Sequence, residues 1–201
     1  MRKTLLLLLI ALSITTSARA ADDLALEAMA ALRRGFAGTT DFTAEITQEK
    51  QLSLMKRKMV SKGVVRFKKP DTFFIELFPP QASRLLLRDN LMIIRLSEQG
   101  VTDRVALSPE EGLKKWFAYL AMPVNTLPEG MDARAERNGK LWDMHLFPKS
   151  KGLVKQLTLS FDSEGNISRI VIDERNRDRT VLVFSNMRRN VGIRDGDFRT
   201  Q

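Results

Sequence analysis

The sharpest alternation of apolar and polar positions runs from Gly63 to Phe78, GVVRFKKPDTFFIELF. Val65, Phe67 and Lys69, then Phe73, Ile75 and Leu77, share one parity, and a strand sets residues of one parity on one face of its sheet. The stretch predicts two strands joined by a basic turn at Pro70, with one apolar face that also carries a lysine. The other parity mixes Val64, Phe74 and Phe78 with Arg66, Lys68 and Glu76, so both faces are expected to meet apolar material.

Upstream, Asp22-Asp23 followed by LALEAMAALRR and Gly35 has acids at its start, arginines at its end and a glycine stop, which predicts a capped helix. Leu26, Met29 and Leu32 form its apolar stripe, expected to lie against a sheet. From Asp41 the period falls to two, Phe42, Ala44 and Ile46 alternating with polar residues, as for a strand with one wet face. Downstream, Arg84–Arg88 and Leu91–Leu96 flank the turn pair Asp89-Asn90. Their runs of Leu85, Leu86, Leu87, Met92, Ile93 and Ile94 imply burial on both faces or a second face lining a cavity.

A second helix is predicted from Ser108-Pro109-Glu110-Glu111, where a capping serine, a first-turn proline and an acid satisfy free backbone donors. It ends before Pro123, and Leu113, Trp116, Phe117 and Leu120 form one apolar stripe, read either as core or as a lid. Strands then resume around the hairpin pair Asn138-Gly139, through Leu141–Phe147, Leu153–Phe161, Ile167–Glu174 and Thr180–Phe184. Every connection is hairpin-length, so the sheet should be antiparallel and meandering. About ten strands in one sheet rarely stay flat, which predicts a strongly curved sheet around the helices.

The first twenty residues read as an export leader: Arg2 and Lys3, an apolar run from Leu5 to Leu12, and a small-residue cleavage pattern at Ala18-Arg19-Ala20. The run is short for a membrane span. Residues 21–201 are expected to form one domain. The chain has no cysteine, which excludes disulfides, thiol nucleophiles and thiolate metal sites. The formal net charge of +9 suits anionic membrane surfaces or an acidic partner; nucleic acid is a poor fit for an exported chain.

Catalytic equipment is sparse. The one histidine, His145, lies on a predicted strand without a second imidazole or thiol to complete a metal site. Neither a phosphate-cradling glycine loop nor a nucleophile elbow is present. A paired-carboxylate hydrolase using Glu45, Glu76 or Asp143 is the least excluded enzyme. Methionines are instead abundant, Met55, Met59, Met92, Met122, Met131, Met144 and Met187 among them, and such side chains line apolar surfaces of variable shape or fill cores.

The order of four segments resembles the outer-membrane lipoprotein carrier family, LolA: DFTAEITQEK (41–50), GVVRFKKPDTFF (63–74), LFPKSKGLVKQLTLSFDSEGNIS (146–168) and FSNMRRNVGIRDGDF (184–198). The resemblance implies an α+β fold, mainly antiparallel: an incomplete, unclosed β-barrel wrapped around helices that form a lid over an apolar cavity. It implies a periplasmic, non-enzymatic monomer that needs no cofactor or metal. Such a chaperone takes acylated lipoproteins from an inner-membrane ABC transporter complex to an outer-membrane receptor of the LolB kind. The expected lipid-facing wall is Val65, Phe67, Phe73, Ile75, Leu77, Met92 and Ile94; the expected lid is Leu113, Trp116, Phe117, Leu120 and Met122. Lys69 stands where the family has the arginine that latches the lid, and it offers fewer donors and no planar fork. This departure, and an end at Gln201 without the C-terminal extension some carriers have, leave room for another cargo such as a glycolipid or polyene ester. They leave room also for a lipid sensor or adaptor that signals to a membrane partner.

Overall fold

The computed structural model describes residues 23–55, 58–96, 100–106, 130–149 and 152–199. The expected leader (1–20) and the expected lid helix, with Leu113, Trp116, Phe117, Leu120 and Met122, lie outside the described residues.

Helix α1 spans residues 23–37. Among the described residues eleven strands follow: β1 (Asp41–Gln51), β2 (Met59–Lys68), β3 (Thr72–Leu77), β4 (Ser83–Arg88), β5 (Leu91–Leu96), β6 (Val101–Ala106), β7 (Met131–Asn138), β8 (Leu141–Pro148), β9 (Val154–Asp162), β10 (Ile167–Glu174) and β11 (Arg179–Arg189). A 3-10 turn, Asp195–Phe198, comes after β11. One sheet holds all eleven strands in the order β6-β5-β4-β3-β2-β1-β11-β10-β9-β8-β7. Each neighbour in sequence pairs antiparallel except across the seam between β6 and β7, while the first and last strands, β1 and β11, pair with each other. The barrel is therefore incomplete, with β6 and β7 as its edges. Among the described residues it contains one helix.

The local rules that write this meander are mostly the expected ones. Asp89 (φ 54), Gly139 (φ 62) and Gly165 (φ 74) adopt the left-handed conformation in the β4–β5, β7–β8 and β9–β10 turns, where such residues let a short hairpin reverse. The Asp162 carboxylate accepts the backbone N–H groups of Glu164 and Asn166, each at 2.9 Å, organising the third of these turns as an Asx motif.

Two corrections concern α1. It does not stop at Gly35 but runs through it to residue 37. Gly35 is there for contact: a Cβ on it would lie 2.5 Å from the Gly165 carbonyl oxygen, so the helix and the β9–β10 turn touch backbone to backbone. Its buried stripe is Ala25, Ala28, Met29, Ala31, Leu32 and Phe36, with Leu26 only half-buried. Small side chains let the helix sit close to the sheet, where long ones would hold it off.

The core beneath α1 gathers Phe42, Ala44 and Ile46 of β1, Val65 and Phe67 of β2, and Trp142, Met144, Leu146, Leu159, Phe161 and Leu182 from the far half of the sheet. A smaller cluster lies on the opposite, outer face, where Ile193 and Phe198 of the C-terminal segment cover Phe74 and Leu86. This is why Phe74, on the mixed parity of the opening stretch, is buried.

The junction between α1, β1 and β11 is polar and well engaged. Asp41, 6% exposed, accepts the N–H of Val191 at 2.8 Å and of Gly192 at 3.2 Å. Asn190 accepts the Thr40 N–H at 2.8 Å and donates to the Gly38 carbonyl at 2.9 Å. Segments far apart in sequence are thereby clamped at one corner.

Candidate functional site

The inner face of β1–β6 is built from cross-strand rows, since directly paired residues project to the same side of a sheet. One row reads Phe42, Phe67, Phe73, Leu87, Met92, Val105; the next reads Ala44, Val65, Ile75, Leu85, Ile94, Asp103. A third crosses Ile46, Gly63, Leu77, Ser83, Leu96 and Val101. With strands ~4.8 Å apart, each row spans about 24 Å. Apart from Ala44 and Asp103, every position of the first two rows is large and apolar, so the face is continuous from the helix to the sheet edge.

Burial falls steadily along these rows. Val65 and Phe67 are 0% exposed under α1, and the Phe67 ring lies 5.3 Å from that of Phe42. Leu77 is likewise buried. Phe73 is buried among core neighbours only in part, as are Ile75, Leu85, Leu87, Met92 and Ile94, and Val105 at the edge is 41% exposed. The expected wall thus divides in two: Val65, Phe67 and Leu77 belong to the packed core, while Phe73, Ile75, Met92 and Ile94 are only partly buried, the first two at the margin of that core. Leu85 and Leu87 join them; the apolar run marked these two, but its parity could not be assigned without the register to β3. Asp103, opposite Ile94, sets one carboxylate on the rim, an inward charge of the sort that blunts sheet edges.

Lys69 follows β2 and joins Pro70 through a cis peptide. Its Nζ donates to the Phe36 carbonyl at 3.0 Å and its N–H to the Thr40 carbonyl at 2.8 Å. A cation at a helix C-terminus is favourably placed against the carbonyls left unpaired there. Lys69 therefore holds the β2–β3 turn to the end of α1.

The other residues weighed for chemistry are on the outer face and are engaged with their neighbours. His145 Nδ1 lies 3.1 Å from Thr158 Oγ1 and 3.2 Å from Gln156 Nε2. Glu76 sits between Arg84 at 2.9 Å and Arg66 at 3.5 Å. Glu45 accepts from Asn186 Nδ2 at 2.9 Å, and Asp143 accepts from Ser160 Oγ. Among the described residues no three His, Asp or Glu side chains converge as a metal site would require, and no described helix is long and apolar enough to cross a membrane.

An unclosed antiparallel barrel, one helix against its inner side and an apolar face graded from packed to open define a carrier-like binding domain. A family model, described as outer membrane lipoprotein carrier protein LolA, matches residues 37–201. The chain belongs to the LolA family.

Among curated protein sequences there is no match. Solved structures share the fold. A DUF1329 family protein from Desulfovibrio piger superposes with a TM-score of 0.51 at 13% identity, covering 90% of this chain and 97% of that one. An uncharacterized conserved protein from Thermus thermophilus gives 0.51 at 12% identity, with coverages of 85% and 91%. The Pseudomonas aeruginosa MucA/MucB complex contributes a chain at 0.50 and 10% identity, of which 61% is covered, against 88% of this chain. At these identities the likeness is one of fold.

Proposed function

We propose that the protein is a periplasmic carrier that shelters the acyl chains of lipoproteins, or of another lipid, on the open part of its inner face and ferries them from the inner to the outer membrane. The observation that carries this reading is the gradient of exposure along the apolar rows from Phe67 to Val105. A sheet that needed only stability would cover Phe73, Leu87 and Met92 as it covers Phe67. Each methylene sheltered there would be stabilised by ~0.8 kcal/mol, enough for a long chain to bind without bond chemistry. Family membership supports acylated lipoprotein as the cargo class, and the leader expected in residues 1–20 supports a periplasmic location. Loading from an inner-membrane ABC transporter complex and delivery to an outer-membrane receptor of the LolB kind are the partner roles proposed with it. Lys69, by fixing the β2–β3 turn to α1, is proposed to hold the mouth of this face in shape.

Phe73→Glu tests the reading. The side chain is only partly buried, between its pair partners Phe67 and Leu87, so the fold should tolerate glutamate, while the charge should reject an acyl chain. The purified variant, checked by circular dichroism, is expected to capture a synthetic triacylated lipopeptide at least tenfold more weakly, which is ~1.4 kcal/mol. Unchanged capture by a folded variant would refute the assignment of this face.

A further inference from the structure

Three turns at the end of the sheet remote from Asp41 and Lys69 are tied into one platform. The Ser53 N–H in the β1–β2 turn donates to Asp178 Oδ1 in the β10–β11 turn at 2.7 Å. Arg175, in that same turn, donates its N–H to the Leu153 carbonyl and its Nε to the Gly152 carbonyl of the β8–β9 turn, both at 2.9 Å. What the platform presents is unusual for turn tips. Leu54 is 98% exposed and Leu153 64%, and Met55 next to Leu54 and Val60 near the start of β2 are exposed as well.

Cations surround these apolar tips. Lys50 and Lys58 flank the first turn, and Lys155, Arg175, Arg177 and Arg179 line an open cleft of about 490 Å³ beside the other two. Four acids share this end: Glu49 pairs with Lys58 at 2.6 Å and Asp173 with Arg179 at 3.5 Å, Asp178 accepts the Ser53 N–H, and Glu174 lines the cleft, so the excess of base rests on Lys50, Lys155, Arg175 and Arg177.

We infer that this end of the sheet docks on a bilayer surface of anionic phospholipid, Leu54 and Leu153 entering the headgroup boundary while Lys155, Arg175 and Arg177 meet phosphates. Single leucines on separate turns do not make the contiguous, shape-complementary centre that a protein interface needs. A bilayer boundary takes isolated apolar tips, and basic side chains around them are drawn to its negative surface. The inference concerns the turn end of the sheet and stands apart from cargo binding on the inner face.

The test is co-sedimentation of the purified full-length mature chain with vesicles of phosphatidylethanolamine and phosphatidylglycerol, against neutral phosphatidylcholine vesicles. Binding to the anionic vesicles should be at least tenfold stronger and should weaken as salt is raised. Leu54→Glu with Leu153→Glu should lower it at least tenfold, and Arg177→Glu alone about fivefold. Phe73→Glu should leave it unchanged, which separates this surface from the cargo face. Circular dichroism checks the fold; Arg177→Glu, a change at an exposed turn residue, carries the test if the double variant is unstable. No binding at low salt, equal binding to neutral vesicles, wild-type binding by the glutamate variants, or loss on Phe73→Glu would each overturn the inference.

Discussion

Phe198→Ala measures whether the C-terminal segment is a structural part of the sheet. Phe198 is 3% exposed although it lies close to the end of the chain. Its ring meets Phe74 edge-on with centroids 6.3 Å apart, and the Arg88 guanidinium lies 5.9 Å from its centroid. Leu86, Ile193 and half-buried Ile93 complete the cluster. Truncating a buried phenylalanine costs about 3–5 kcal/mol where the cavity persists. Here the covering segment is peripheral and can settle into the space, which puts the expected loss near the lower limit, about 3 kcal/mol. For a chain of this length that is a fall in Tm of roughly 6–12 °C. Urea unfolding followed by circular dichroism gives the free energy. Binding of an apolar dye should rise in parallel, since Phe74 and Leu86 lose their cover. A loss below about 1 kcal/mol, with no gain in dye binding, would refute the idea that Phe198 seals the outer face.

Two further changes probe the ends of the chain. Asp41→Ala leaves the N–H groups of Val191 and Gly192 without their acceptor in a buried corner and should cost about 2–4 kcal/mol, whereas Asp41→Asn, which keeps one oxygen, should cost clearly less. Equal urea midpoints for the two variants would contradict the clamp. The second concerns acid. The hydrogen bond from Lys68 holds the Asp195 carboxyl below the usual carboxylate range. A carboxyl depressed in the folded state stabilises above its unfolded value and loses that effect as pH falls through the folded one. The stability difference between the wild type and Asp195→Asn should therefore be constant from about pH 5 upward and shrink in stronger acid; a difference that grows on acidification would refute the pairing.

How much of this was legible in the chain depends on how local its cause is. The hairpins were legible because Asp89-Asn90, Asn138-Gly139 and the Asp162–Asn166 turn encode their reversals within a few residues. The two-faced character of the opening stretch was legible too, though not what covers Phe74, since Phe198 is remote from it in sequence. The closure of β1 on β11 has no local signature at all. Gly35 shows the same limit in miniature: a glycine after two arginines reads as a helix stop, and only the approach of Gly165 reveals it as a contact. Parity set Val65 and Ile75 on one face but could not rank their burial, because the two alternate alike and pair directly across β2 and β3, Val65 fully buried and Ile75 only in part.

That division has a physical logic. The inner residues of β7–β9 include Ala133, Ala135, Trp142, Met144, Leu146, Leu159 and Phe161, all buried, as are Phe42, Ala44, Ile46, Val65 and Phe67 of β1 and β2. The inner residues of β4–β6 are half-buried or exposed. The proposed acyl-binding role accounts for this difference, since a surface that exchanges apolar contacts with a ligand cannot satisfy them permanently with its own chain, and such regions are drawn from the less stable part of a fold. The closing pair β1–β11 and the Asp41–Asn190 corner join the packed strands into one body that includes α1, while β4 and β5 are held from the outer face by the Phe74–Leu86–Phe198 cluster. The seam between β6 and β7 then falls at the border between the two halves, and the sheet stays open on the side where its apolar rows are least covered.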